Sequence, residues 1–206
     1  MSFPFFPLLL LALVVRTVPV QPFLIASASM APTLQEGDKA FVAKYPAGDS
    51  SHSTPGGAAT PARGDVVAFI PPKGPSLVFF KRVVGLPGER IQMKQGQLYI
   101  DDKPVSHESV QDFAGPGACG TEPIARVKRW RETLPNGVSY ETLDCVDNGF
   151  YDNTNVYTVP SGSFFMLGDN RDNSTDSRML SEMGYVPLDS IIGRLDRIVP
   201  GPGRAM

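Results

Sequence analysis

The sequence predicts a mainly β fold, and three observations carry that reading. Glycine and proline fill 40 of the 206 positions, nearly a fifth against a usual share of about 12%; such punctuation breaks long helices and favours short strands joined by turns. Short apolar runs rich in β-branched and aromatic residues recur between those turns. Only the start of the chain is uniformly apolar. The length suits one domain, or a core with one sizeable insertion. Nineteen Lys and Arg against 21 Asp and Glu give a formal charge of -2. No basic run stands out, so composition offers no footprint for nucleic acid.

Taken in order, residues 3–15 (FPFFPLLLLALVV) are thirteen uncharged residues. As a helix they would reach about 20 Å, short of a bilayer core of about 30 Å and close to a signal-peptide core. Apolar character resumes after Arg16 and Thr17, and Arg16 could snorkel to a headgroup. Pro19 and Pro22 then stop a helix and start an extended segment. We expect residues 1–18 to form one N-terminal transmembrane helix that anchors the chain. No Lys or Arg precedes it, so charge does not orient it. Ala26-Ser27-Ala28 fits a small-x-small cleavage pattern, but cleavage there would discard Ser27 and leave Ser29 first, whereas the chemistry below needs both.

Residues 23–25 and 40–45 (AFVAKY) read as short strands around a turn. Residues 46–62 are almost wholly Gly, Pro, Ser, Thr and Ala, a flexible loop. Residues 65–70 (DVVAFI) and 77–84 (LVFFKRVV) suggest a hairpin across PPKGPS, and 90–93 with 97–100 a second pair. From 101 to 160 the chain is polar and turn-rich, with Asn136-Gly137 as a tight turn; we read this stretch as an inserted smaller β-subdomain. Residues 163–167 (SFFML) and 190–199 complete a core made of 19–100 and 161–206. Both cysteines, Cys119 and Cys145, lie in the insertion. A bridge would contribute roughly 3.5 kcal/mol in the chain-entropy model; a reduced pair fits the spacing as well.

Several patterns fail on their context. Gly115, Gly117 and Gly120 match G-x-G-x-x-G, but no strand precedes them and Pro123 stands where a helix should run. Arg63-Gly64-Asp65 is a turn feeding a strand. The carboxylates between Asp169 and Asp176 lack the glycine and terminal glutamate of a calcium loop. The two histidines, His52 in the loop and His107 alone in the insertion, supply neither a metal site nor a Ser/His/Asp triad. No metal or cofactor is implied.

A serine and a lysine remain. Strand alternation places Phe79, Lys81 and Val83 on one face. A lysine there either guards a sheet edge against aggregation or is desolvated, with its ammonium form disfavoured. With an ordinary pKa near 10.4 only about 0.1% would be neutral at a pH of about 7.4. A neutral amine can take the proton of a serine hydroxyl without histidine. Ser29, in Ser27-Ala28-Ser29-Met30-Ala31-Pro32-Thr33-Leu34, is the candidate partner; a serine-rich turn by itself is more often structural.

Four segments then add a resemblance. SASMAPTL (27–34), RGDVVAF (63–69), KRVVGLPGE (81–89) and GDNRDNSTDSR (168–178) resemble, in order, the boxes of the bacterial type I signal peptidases, or leader peptidases. They span the soluble part apart from the flexible loop and the insertion. The resemblance implies a membrane-bound serine endopeptidase that removes signal peptides from exported preproteins after small-x-small motifs. Ser29 would be the nucleophile and Lys81 the general base. The Ser27 hydroxyl and the Ser29 N–H would form an oxyanion hole. Ser174 would orient the Lys81 amine, and Asp176 and Arg178, with Arg82 nearby, would brace that loop. Phe23, Ile25, Leu34 and Phe79 would line shallow apolar pockets for a substrate added as a strand.

The same resemblance implies a signal-peptidase-like β core, contact with membrane lipid, and a single-pass protein of the bacterial cytoplasmic (inner) membrane with its catalytic domain on the outer (periplasmic) side. Two residues depart from the pattern: Ala28 stands where glycine is usual and Ala26 where proline is. The alternatives are a conjugative pilin-maturing peptidase of the same family, an inactive peptide-binding β-module and a self-cleaving repressor. The full GDNRDNSTDSR block favours the general enzyme, the intact Ser/Lys pair argues against the module, and the lack of a helical DNA-binding region before Ser29 argues against the repressor.

Overall fold

The computed structural model describes residues 20–44, 60–73, 77–115, 118–120 and 126–204. The expected anchor over 1–18 and residues 46–59 of the expected loop lie outside them. No helix among the described residues is long and apolar enough to cross a membrane.

The fold is mainly β, as the punctuated composition predicts. Its strands are β1 (Val20–Leu24), β2 (Lys39–Ala43), β3 (Val66–Phe69), β4 (Phe79–Gly85), β5 (Arg90–Lys94), β6 (Gln97–Ile100), β7 (Lys103–Pro104), β8 (Ser106–Ser109), β9 (Phe113–Ala114), β10 (Arg126–Thr133), β11 (Ser139–Asp144), β12 (Tyr157–Thr158), β13 (Ser163–Leu167), β14 (Val186–Pro187) and β15 (Ile191–Val199). Seven of them form one sheet in the order β1-β2-β15-β3-β4-β13-β14. A second sheet runs β12-β5-β6-β7, and a third runs β11-β10-β8 with β9 beside β10.

The β3–β4 hairpin pairs Val66 with Arg82 and Phe69 with Phe79, which sets Lys81 opposite Val67. Successive strand residues point to opposite faces, and here both faces are covered: Val83 enters a core with Val67, Phe69, Phe164 and Met166, while Val84 enters another with Ile91, Leu98, Phe165 and Tyr140. That is why LVFFKRVV reads as a continuous apolar run rather than a clean alternation. Lys81, on the Val83 face, is therefore carried into the interior and not to an edge.

Turn chemistry sets the other hairpins. Gln95 and Gly96 both take positive φ between β5 and β6, and Gly137 does so between β10 and β11, the backbone that tight hairpins demand. The third sheet is built locally from residues 106–144, whereas β7 and β12 extend the β5–β6 hairpin. Cys119 and Cys145 form a disulfide beside a small core of Ala31, Phe113, Ala118, Val127 and Leu143.

At the far end of the chain, Arg204 pairs with the buried Asp38 and donates to the carbonyls of Pro32 (3.3 Å) and Thr33 (3.1 Å). Gly201 lies so close to the Gly37 backbone that a side chain there would collide with it.

Candidate active site

The segment after β1 leaves the sheet edge and closes one 3-10 turn, Ala28–Met30. Ser27 caps it: its hydroxyl accepts a hydrogen bond from the Ser29 N–H at 3.2 Å, as polar caps do for the first free donors of a helical turn. Met30 and Leu34 anchor the turn by entering a core with Ile25, Ala40 and Val66. Ala28 is not among the residues with positive φ, so the backbone at this position does not require glycine.

Lys81 meets this turn from β4. Its Nζ donates to Ser29 Oγ at 2.5 Å, and the residue is only 1% exposed. Burial lowers its pKa from 10.5 to about 8; the carboxylates of Asp176 and Asp169 act in the opposite direction, and Arg178 lowers it further. The site thus brings together a hydroxyl and an amine with a sizeable neutral fraction near neutral pH.

The segment 168–178 wraps behind Lys81. Arg178 clamps Asp176 through two nitrogens, Nε to Oδ1 and Nη2 to Oδ2, both at 2.8 Å, and Gly168 N–H donates to the same carboxylate at 3.1 Å. Burial pushes the Asp176 carboxyl up, but Arg178, these hydrogen bonds and Lys81 together hold it below the usual range. The expected hydrogen bond between Ser174 and Lys81 is absent. Ser174 Oγ is buried with no hydrogen-bond partner among the described residues; its side chain packs over Gly168, in the space a Cβ there would fill.

Phe23, Ile25, Leu34 and Phe79 all line one cleft of about 780 Å³ that also holds Ser27, Ser29, Lys81 and Ser174. Strongly exposed Leu24 (69%), Leu77 (62%) and Phe150 (88%) stand at its rim.

Sequence reasoning missed the charge network beneath the site. Arg82 donates to both Asp169 oxygens, at 2.8 and 2.6 Å, and to the Gly64 carbonyl, while Thr33 donates to Asp169 at 2.5 Å. Arg171 forks onto buried Glu132 at 2.7 and 2.6 Å, and Tyr140 donates to the same carboxylate. Asp169, Asn170 and Arg171 were visible within the GDNRDNSTDSR block. Glu132 had no such signal; it lies in a polar strand, and only its register opposite Tyr140 turns it inward.

Comparison with known proteins identifies the family. A family model described as signal peptidase, peptidase S26 matches residues 2–199. Signal peptidase I of Rickettsia typhi (strain ATCC VR-144 / Wilmington) is 36% identical over 201 residues, covering 89% of this chain and 73% of that protein. Signal peptidase I of Rickettsia prowazekii (strain Madrid E) is 35% identical with the same coverage. A crystal structure of a signal peptidase I from Enterococcus faecalis V583 covers 66% of this chain and 97% of that one, at 26% identity and a TM-score of 0.38, too low to bear on the fold.

Proposed function

The chain belongs to the signal peptidase family, peptidase S26, a serine endopeptidase family that removes signal peptides from preproteins, and on that premise we propose how its own residues carry the reaction. Ser29 Oγ attacks the scissile carbonyl carbon while Lys81 Nζ takes its proton. The carbonyl oxygen becomes an oxyanion held by the Ser29 N–H and the Ser27 hydroxyl. Those two groups bond to each other in the resting site, so the Ser27 hydroxyl must rotate to donate to the oxyanion. The tetrahedral species collapses, the C–N bond breaks, and the leaving amine receives the proton from Lys81. Water then attacks the Ser29 ester with Lys81 again as base, and the carboxylic acid departs as Ser29 regains its proton.

Asp176 and Arg178 hold the loop behind Lys81, and Ser174 turns its unpartnered hydroxyl toward the amine once substrate fills the cleft. The substrate lies extended along the cleft, with Phe23, Ile25, Leu34 and Phe79 as its apolar subsites, and the enzyme selects small-x-small motifs there. Residues 19–100 and 161–206 serve as the catalytic core and 101–160 as the insertion. The segment 1–18 anchors the chain in the bacterial cytoplasmic membrane with the core on its outer side, where the exposed apolar rim of the cleft meets lipid.

The observation that carries this reading is the 2.5 Å contact between Lys81 Nζ and Ser29 Oγ at a lysine withdrawn from water. It is tested by cleavage of a small-x-small precursor in detergent or lipid. Ser29→Ala and Lys81→Ala should each abolish cleavage in a folded protein, and Lys81→Arg should fail as well, since guanidinium stays protonated. Retained cleavage in any of the three would sink the assignment.

A further inference from the structure

Asn170 links the disulfide to the nucleophile turn. It is fully buried, so its amide must be satisfied from within the protein. Its backbone N–H donates to the Ser29 carbonyl at 3.2 Å. Its side-chain Nδ2 donates to the Ala28 carbonyl at 3.2 Å and also to the Ala118 carbonyl. Asn173 Nδ2 reaches the same Ala118 oxygen at 3.4 Å. Ala118 precedes Cys119, and the Cys145 sulfur of the bridge lies 3.5 Å from Asn170 Oδ1.

The arrangement is fixed from both sides. Asn170 pairs as a parallel bridge with Leu143, and β11 then runs directly into Cys145. Ala31, on the other side of Ser29, packs in one apolar cluster with Ala118, Leu143 and Cys145. Two consecutive carbonyls of the turn, at Ala28 and Ser29, are therefore tied to a residue whose own position depends on the bridged segment. A shift of the Ala118 carbonyl would leave an Asn170 donor unsatisfied unless the amide turned, and turning it would release Ala28.

We infer that Asn170 is a positioning residue for Ser29 and that the Cys119–Cys145 disulfide holds it in place. The inference rests on Ser29 being the nucleophile. Reduction should then lower turnover while leaving substrate binding largely alone, because the apolar cleft residues Ile25, Leu34 and Phe79 pack in clusters separate from that of Ala118.

The experiment reduces the full-length protein with dithiothreitol, which reaches the exposed Cys119, and measures precursor cleavage with thiols titrated. Wild type should lose about tenfold in kcat, the scale of one lost hydrogen bond, with KM within about twofold and recovery on reoxidation. The double variant C119A/C145A should reproduce the reduced value. Asn170→Ala should show a similar kcat loss, and its reduction should add less than about twofold, because the link is already cut. Where Asn170→Ala fails to fold, Asn170→Asp takes its place, with similar volume but no donor.

Full kcat in the reduced wild type overturns the inference, as does an equal drop on reduction in the Asn170 variant, or a loss that tracks unfolding by circular dichroism. Ser29→Ala in the same assay separates the two readings: turnover there removes the nucleophile assignment, whereas its absence with a redox-insensitive wild type removes only the link.

Discussion

Lys81 Nζ and Ser29 Oγ stand 2.5 Å apart although 52 positions separate them in the chain. Removal of the lysine from water sets its basicity, bringing its pKa to about 8, so that about a fifth is neutral at a pH of about 7.4. As the proposed general base, Lys81 acts in its neutral form. We therefore expect kcat to rise with pH and level off above about 8, read from a pH-rate profile on one precursor. A profile flat between about pH 6 and 9 would contradict the role of Lys81.

The same burial costs stability. The unfolded lysine holds its proton up to about 10.5 and the folded one up to about 8, so between those values the unfolded chain binds more protons and stability rises with pH. The penalty is complete below about 8. Lys81→Met, inactive but similar in shape, should therefore be more stable than wild type near neutral pH, on the order of 3 kcal/mol. Thermal melts should show that advantage shrinking as pH approaches about 10.

Gly168 sits where a methyl group has no room. A Cβ there would lie 2.5 Å from Ser174 Cβ and 2.7 Å from the Ser29 carbonyl oxygen. Relief would move either the Lys81-side loop or the nucleophile turn. Gly168→Ala should cost at least about 2 kcal/mol in a denaturant melt and lower cleavage by about a hundredfold or more, in line with the sensitivity of reactions to small misplacements.

Ser174 has a buried hydroxyl with no hydrogen-bond partner among the described residues. Ser174→Ala removes an unsatisfied polar atom, so its melting temperature should equal or slightly exceed that of wild type. On the proposed mechanism, in which the hydroxyl orients the amine once substrate is present, its kcat should fall at least about tenfold. Loss of stability without loss of turnover would assign Ser174 a structural role instead.

The strands and the two residues that meet in the cleft, Ser29 and Lys81, were legible in the sequence for different reasons. Hairpins such as β5–β6 and β10–β11 announce themselves through residues that tolerate positive φ, which is local chemistry. Ser29 and Lys81 stood out because a serine-rich turn before proline and a lysine in an apolar run each break a local pattern. The pairing of Arg171 with Glu132, and the contact of Asn170 with Ala118, could not be read that way. They join β10 or the disulfide loop to a segment tens of residues away, and only the tertiary register decides which polar groups meet. The Ser174 hydroxyl shows the same limit, since its placement over Gly168 depends on backbone that no spacing rule specifies.

The order of strands in the seven-stranded sheet also sets a timetable. β15 lies between β2 and β3, pairing Leu195 with Val42 and Arg194 with Val67, and Arg204 then secures the turn that follows Ser29. Ser29 and Lys81 are thus made early, while the strand that joins their two halves of the sheet is translated only after residue 190. A ribosome-bound chain carries both reactive side chains without the framework that brings them together. The seven-stranded sheet is thus closed between β2 and β3 only by β15, more than a hundred residues after Lys81.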